Sequence, residues 1–229
     1  MNETLNMGII PLAGNASRLK NIPKYLLPCK NNTTLMDNTI DLFEKNKINN
    51  IYCGVSNINN ILLENNNKIE KIIVKTKTMT ETVKNIVDNI SEKYNNQFNS
   101  ILIMPDTYFI INNELELMKE YLNTYKIVVI IWKIKDYQIG KVGQCRINEE
   151  YILDVIDKDI TCNYEYFWGV IGWNSELNKY INKEWDTIGE LIKFCIRENI
   201  IVKYIICDSN YYDCGTFDEY FKMIKNELI

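Results

Sequence analysis

Apolar residues along the chain fall into two rhythms. Unbroken runs rich in Val and Ile occur at residues 7–11, 51–55, 72–75, 101–104 and 127–132. Such runs suit strands of a parallel sheet buried on both faces. Between them, residues 35–44, 58–63, 80–94 and 114–122 carry apolar side chains at helical spacing. In the third of these, Val83, Ile86, Val87 and Ile90 align on one helix face, and Thr78 with Glu81 has capping-box spacing at its start. This alternation predicts an α/β fold: an open, mostly parallel, twisted sheet with helices on both faces.

The second half changes character. Residues 142–147, 152–156 and 167–173 read as strands in a tighter, partly antiparallel arrangement. A helix is expected over 188–198, a strand over 201–207 and a closing helix over 217–228. Thr187 with Glu190, and Thr216 with Glu219, again have capping-box spacing. No repeat and no Gly-, Pro- or Ser-rich linker interrupts the chain. One domain over 1–229 is therefore expected, with a catalytic half to about residue 135 and an elaborated half beyond it.

Composition narrows the chemistry. The 229 residues are 46% hydrophobic and 24% charged, enough for one sizeable core. The net charge of −4 argues against a nucleic-acid or anionic-membrane surface, since either needs a basic stripe. No apolar run approaches the roughly 18 residues of a spanning helix, and Met1-Asn2-Glu3 opens no signal-peptide pattern. Seven cysteines without a C-x-x-C pair read as reduced thiols of a cytoplasmic protein, most of them small core residues. There is no histidine. That removes Ser-His-Asp and Cys-His catalysis and H-E-x-x-H zinc sites. What remains is carboxylates, Lys, Arg, backbone dipoles or a hard metal ion with oxygen ligands.

Open α/β sheets bind ligands beyond the carboxyl ends of their strands, where the strand order reverses. With an order beginning 3-2-1-4, that crevice lies between the first and fourth strands. After the first strand comes Leu12-Ala13-Gly14-Asn15-Ala16-Ser17, small enough for backbone N–H groups to approach phosphate oxygens. Arg18 adds a forked donor, and Lys24, preset by Pro23, adds a compact charge. The loop after the fourth strand holds Asp106. Taken singly, each signal has a plain alternative: solvated cations on a surface loop, and an Asp that only makes a turn.

Taken together and in order, these segments resemble the sugar-1-phosphate nucleotidylyltransferases. That family follows its first strand with a pattern like A-G-G-x-G-x-R-L and then P-K-x-L-x-P. Here the match is Leu12-Ala13-Gly14-Asn15-Ala16-Ser17-Arg18-Leu19, then Pro23-Lys24-Tyr25-Leu26-Leu27-Pro28. The family's G-D after the fourth strand corresponds to Pro105-Asp106, and its late D-x-G-T to Asp213-Cys214-Gly215-Thr216. Its E-K-P is nearest to Asp157-Lys158-Asp159, and a glycine-led strand resembles Gly169-Val170-Ile171 in part. The chain departs from the pattern at Ala16 (glycine in the family), Asp157 (glutamate) and Asp159 (proline).

The resemblance implies a Rossmann-like nucleotidyltransferase fold, similar to that of the A-type glycosyltransferases. It implies transfer of a nucleoside monophosphate from a nucleoside triphosphate to a sugar 1-phosphate or a similar phosphorylated small molecule, with release of pyrophosphate. Residues 1–135 would then bind nucleotide and 136–229 the acceptor. Asp106 and Asp213 would hold Mg²⁺, and Arg18 and Lys24 would be the catalytic cations. Leu12, Ala13, Gly14, Asn15, Ala16, Ser17, Thr78, Thr80 and Asp106 would meet the nucleotide. Lys158, Glu165 and Gly169 would meet the acceptor. No nucleic acid or membrane partner is implied, and a homo-oligomer is left open. Three other readings stand beside this one. They are a cytidylyltransferase acting on a non-sugar phosphate, a glycosyltransferase using Asp157-Lys158-Asp159 as a D-x-D motif, and a non-catalytic nucleotide-sugar sensor.

Overall fold

The structure is a computed structural model that describes residues 4–14 and 22–228. Strands β1 (Leu5–Leu12), β2 (Asn50–Val55), β3 (Glu70–Ile73) and β4 (Phe98–Ile103) alternate with helices α1 (Leu35–Lys45), α2 (Asn57–Leu62) and α3 (Met79–Tyr94). The four strands pair in parallel in the order β3-β2-β1-β4, the order on which a crevice between the first and fourth strands depends. Beyond β4 the sheet becomes mixed. Strand β9 (Tyr166–Asn174) runs antiparallel between β4 and β6 (Ile127–Lys133), and β10 (Val202–Ile206) closes that edge parallel to β6. A hairpin of β7 (Gly143–Ile147) and β8 (Ile152–Asp157) hangs from β9. One nine-stranded sheet thus takes strands from both halves of the chain.

Alternate residues of each central strand feed two cores. On β1, Ile10 and Leu12 join one cluster, with Met36, Ile40 and Phe43 of α1 and with Leu115 and Met118 of α4 (Glu114–Tyr121). Met7 and Ile9 join the other, with Val83, Ile86, Val87 and Ile90 of α3 and with Leu191, Ile192 and Cys195 of α5 (Gly189–Arg197). Burial on both faces accounts for the unbroken apolar runs in the sequence. Gly54 on β2 lets α3 approach closely: a Cβ there would lie 2.6 Å from Thr82 Cγ2. The start of α3 is thereby seated at the carboxyl end of the sheet.

A second, two-stranded sheet pairs β5 (Thr107–Phe109) antiparallel with β11 (Tyr211–Asp213). It packs on α6 (Phe217–Glu227) through a third cluster that includes Leu27, Tyr108, Tyr212, Tyr220 and Met223. Neither short strand is foreseen from the pattern.

The caps differ in part from expectation. Thr78 accepts from Glu81 N at 3.0 Å, but the Glu81 carboxylate takes Lys77 N at 2.7 Å, so that box is only half formed. Thr216 accepts from Glu219 N at 3.4 Å and donates its hydroxyl to the Glu219 carboxylate at 3.1 Å. Thr187 does not cap: α5 opens from Ile188, and the Thr187 hydroxyl is buried without a partner among the described residues. All seven cysteines are free and buried. No described helix is long and apolar enough to cross a membrane.

Candidate active site

Lys24 begins a short 3-10 turn, Lys24–Leu26, whose first carbonyl is that of Pro23; Leu26 N donates to it at 3.0 Å. Pro23 sits at φ −60°, the value its ring imposes, so the turn starts from a fixed point. Downstream, the Tyr220 hydroxyl donates to the Pro28 carbonyl at 2.7 Å and ties α6 to the same segment. The Lys24 ammonium thereby meets the Asp106 carboxylate at 2.9 Å, with the two side chains only 21% and 19% exposed.

Asp106 lies just beyond β4, before β5. The β5–β11 ladder sets Asp213 opposite Thr107, and Cys214 N donates to the Asp106 carbonyl at 2.8 Å. Two acids far apart in sequence are thus brought to one corner. A Cβ on Gly215 would lie 2.9 Å from Asp213 Oδ1 and 3.6 Å from Lys24 Nζ, which shows how closely these charges converge. Burial, then the Asp106 and Glu219 charges, push the Asp213 carboxyl up to about 6. The Lys24 ammonium and the Gly215 N–H, which donates to Asp213 Oδ1 at 2.9 Å, offset part of that shift.

This corner opens into a cleft of about 530 Å³ at the carboxyl ends of the parallel strands. The cleft is walled by the ends of β1 and β4 and by the segments after β2 and β3. Of the residues expected at the nucleotide or in catalysis, Leu12, Ala13, Gly14, Lys24, Thr78 and Asp106 line it. Asn15, Ala16, Ser17 and Arg18 lie outside the described residues. Asp213 faces a separate small recess beside Tyr212 and Glu219.

Other expected contacts are not brought to the cleft. Thr80 is 0% exposed, on the inward side of α3; Thr76 and Thr82 line the cleft instead. Lys158 is exposed at the end of β8 with φ +52°, and Glu165 is exposed before β9. Gly169 is a packing position. It falls at the bulge where the β6–β9 register shifts, and a Cβ there would lie 2.6 Å from Tyr211 and 2.7 Å from Trp132. Tyr211 itself is stacked on Phe109 in the core, not over the cleft. Asp159, the second acid of the D-x-D segment, is taken up by Thr161, whose N–H and hydroxyl donate to it at 2.8 and 2.7 Å.

Ser56, Asn59 and Thr76 also line the cleft and are missed by the sequence reading. A usable signal existed for the first two. Ser56-Asn57-Ile58-Asn59 sits directly after a parallel strand, at the start of a helix, where ligand-binding loops belong.

The corner suits a hard divalent ion. Among the described residues no three metal-ligating acids, cysteines or histidines converge. Two carboxylates do, and Mg²⁺ is commonly held by one or two carboxylates with phosphate and water oxygens completing its shell. The Asp213 carboxyl is raised first by burial and then by the Asp106 and Glu219 charges, and only the second, charge part is what an added cation would relieve.

Comparison with known proteins identifies the fold. No protein-family model and no curated sequence matches the chain. Solved structures do. A Bacillus anthracis protein assigned as a glucose-1-phosphate thymidylyltransferase, in complex with a sucrose, superposes with TM-score 0.79 at 16% identity, covering 95% of this chain and 93% of that one. A UDP-glucose pyrophosphorylase complexed with UDP-glucose gives 0.74 at 16% identity, covering 95% and 96%. A UTP-bound UGPase from Acinetobacter baumannii gives 0.75 at 12% identity, covering 96% and 92%. The chain has the α/β fold of the sugar-1-phosphate nucleotidylyltransferases along nearly its whole length.

Proposed function

We propose that this protein is a Mg²⁺-dependent nucleotidylyltransferase. It would transfer a nucleoside monophosphate from a nucleoside triphosphate to a sugar 1-phosphate or a closely similar phosphorylated acceptor. The observation that carries the reading is the Lys24–Asp106 pair at the charged end of a cleft in this fold, with Asp213 held beside Asp106 on the side of the adjoining recess.

An oxygen of the acceptor phosphate attacks the α-phosphorus, the new P–O bond forms, the α–β bridging bond breaks and pyrophosphate leaves. The attacking oxygen is already anionic at neutral pH, so no proton need be removed, and a chain without histidine loses nothing. Catalysis then reduces to placing the reactants and balancing charge. Asp106 and Asp213 are the residues that would hold the ion. Bound there, Mg²⁺ supplies charge neutralisation at the phosphate oxygens. Lys24 stands at the same corner and stabilises negative charge as it grows toward the leaving pyrophosphate. Arg18, six residues earlier in the sequence, is assigned the same duty from the family pattern.

Mass spectrometry of reaction mixtures tests this directly. The expected product joins the nucleoside monophosphate to the intact acceptor phosphate. Free nucleoside monophosphate in its place would mean hydrolysis and would overturn the reading.

A further inference from the structure

The cleft runs from the Lys24–Asp106 pair across the ends of β1 and β2 to Thr76 beyond β3. Neighbouring strands lie about 4.8 Å apart, so β3 stands roughly 10 Å from β1 and 15 Å from β4. With phosphates at the charged end, this far end receives the base of a nucleotide. The step rests on the nucleotide reading proposed above.

The polar groups at the far end differ in what they can offer. Asn59 is only 7% exposed, and its amide Nδ2 donates to the Leu12 carbonyl. That bond fixes the amide orientation, because the reverse would set two oxygens against each other. Asn59 Oδ1 is left as an acceptor, and no donor among the described residues reaches it. The Thr82 hydroxyl lies 3.2 Å from the Thr78 carbonyl and 2.6 Å from the Thr76 hydroxyl. With the Thr82 proton on that carbonyl, Thr76 is the donor in the shorter contact. Thr76 Oγ1 then turns only lone pairs to the cleft. Ser56 Oγ accepts from Asn59 N at 3.3 Å and keeps its own proton free for a base acceptor.

From this accounting we infer that the cleft selects a nucleoside triphosphate whose base carries an exocyclic amino group. Asn59 Oδ1 and Thr76 Oγ1 are the acceptors that read it. Cytosine, adenine and guanine each bring such an amine with two N–H donors. Uracil and thymine offer one ring N–H flanked by two carbonyl oxygens; the single Ser56 hydroxyl proton can meet one of them, and an oxygen set in place of the amine would face the Asn59 and Thr76 acceptors. Polar groups desolvated without partners are what gives hydrogen-bonding sites their discrimination.

Calorimetric titration of the full chain with CTP, ATP, GTP, UTP and dTTP in the presence of Mg²⁺ tests the inference. The tightest ligand should be one of the first three, with a Kd about tenfold or more below those of both UTP and dTTP. Thr76→Val should weaken the amino-base nucleotides and shrink that gap to about threefold, while Thr76→Ser, which keeps the hydroxyl, should preserve it. UTP or dTTP binding as tightly as the best amino-base nucleotide would overturn this inference alone and leave nucleotide binding standing. A gap unchanged in Thr76→Val would do the same. No binding by any of the five would overturn both this inference and the reading beneath it.

Discussion

The Lys24 ammonium and the Asp106 carboxylate meet at 2.9 Å across 82 residues of sequence. One comes from the proline-framed segment after β1 and the other from the turn after β4. Their contact ties the two neighbouring parallel strands at which the strand order reverses, and it closes the charged end of the cleft.

Lys24→Met keeps the length of the side chain and removes its charge. Turnover should fall about 10²-fold or more, the scale of losing one preorganised charge at a reacting phosphate. Stability should fall as well, by about 1–3 kcal/mol, because removing one partner of a largely buried pair leaves the Asp106 carboxylate uncompensated. Steady-state pyrophosphate release and thermal melts measure the two. Unchanged turnover in a folded variant would remove Lys24 from the chemistry.

Asp213→Asn should separate function from stability. The folded Asp213 carboxyl lies near 6, above its ordinary value of 3.8, because burial and the Asp106 and Glu219 charges disfavour its ionisation. Between those values the native state holds more protons than the unfolded one, so this residue's contribution to stability is full below about pH 4. It is lost as pH rises toward about 6. With metal chelated, Asp213→Asn should match wild type near pH 4 and exceed it by about 1–3 kcal/mol above pH 6, while turnover falls about 10²-fold. Denaturant melts from pH 4 to 7 read the difference. A gap that does not grow with pH would show that Asp213 is not held at this electrostatic cost.

Gly169→Ala distinguishes packing from acceptor contact. The added Cβ would press on the Tyr211 and Trp132 rings at 2.6 and 2.7 Å. It should cost about 1–3 kcal/mol of stability and leave the acceptor KM unchanged. A raised KM with unaltered melting would return Gly169 to the acceptor site.

Much of the fold could be read from local pattern, and the reasons are specific. The runs at β1, β2, β4 and β6 stand out because both faces of each strand are buried, and α3 stands out because Val83, Ile86, Val87 and Ile90 share one face. Strands β5 and β11 are three residues each, too short for any periodicity, and they exist only because Thr107–Phe109 finds Tyr211–Asp213 a hundred residues later. The two acids were visible as motif residues, but the ladder that brings them together was not. Thr80 was misplaced for the opposite reason: a threonine stretch gives no sign of which hydroxyl faces the cleft until the helix phase is set against Gly54. Asn59 reaches back 47 residues to the Leu12 carbonyl, a partner that no local rule supplies.

The most direct test of nucleotidyl transfer is pyrophosphate release measured over a matrix of nucleoside triphosphates and phosphorylated acceptors, with Mg²⁺ and with chelator. The expected result is release that requires a triphosphate, a sugar 1-phosphate or similar acceptor, and the metal together, and that is lost in Asp106→Asn. Release that is absent for every pair, independent of the acceptor, or unaffected by chelation and by Asp106→Asn would contradict the account.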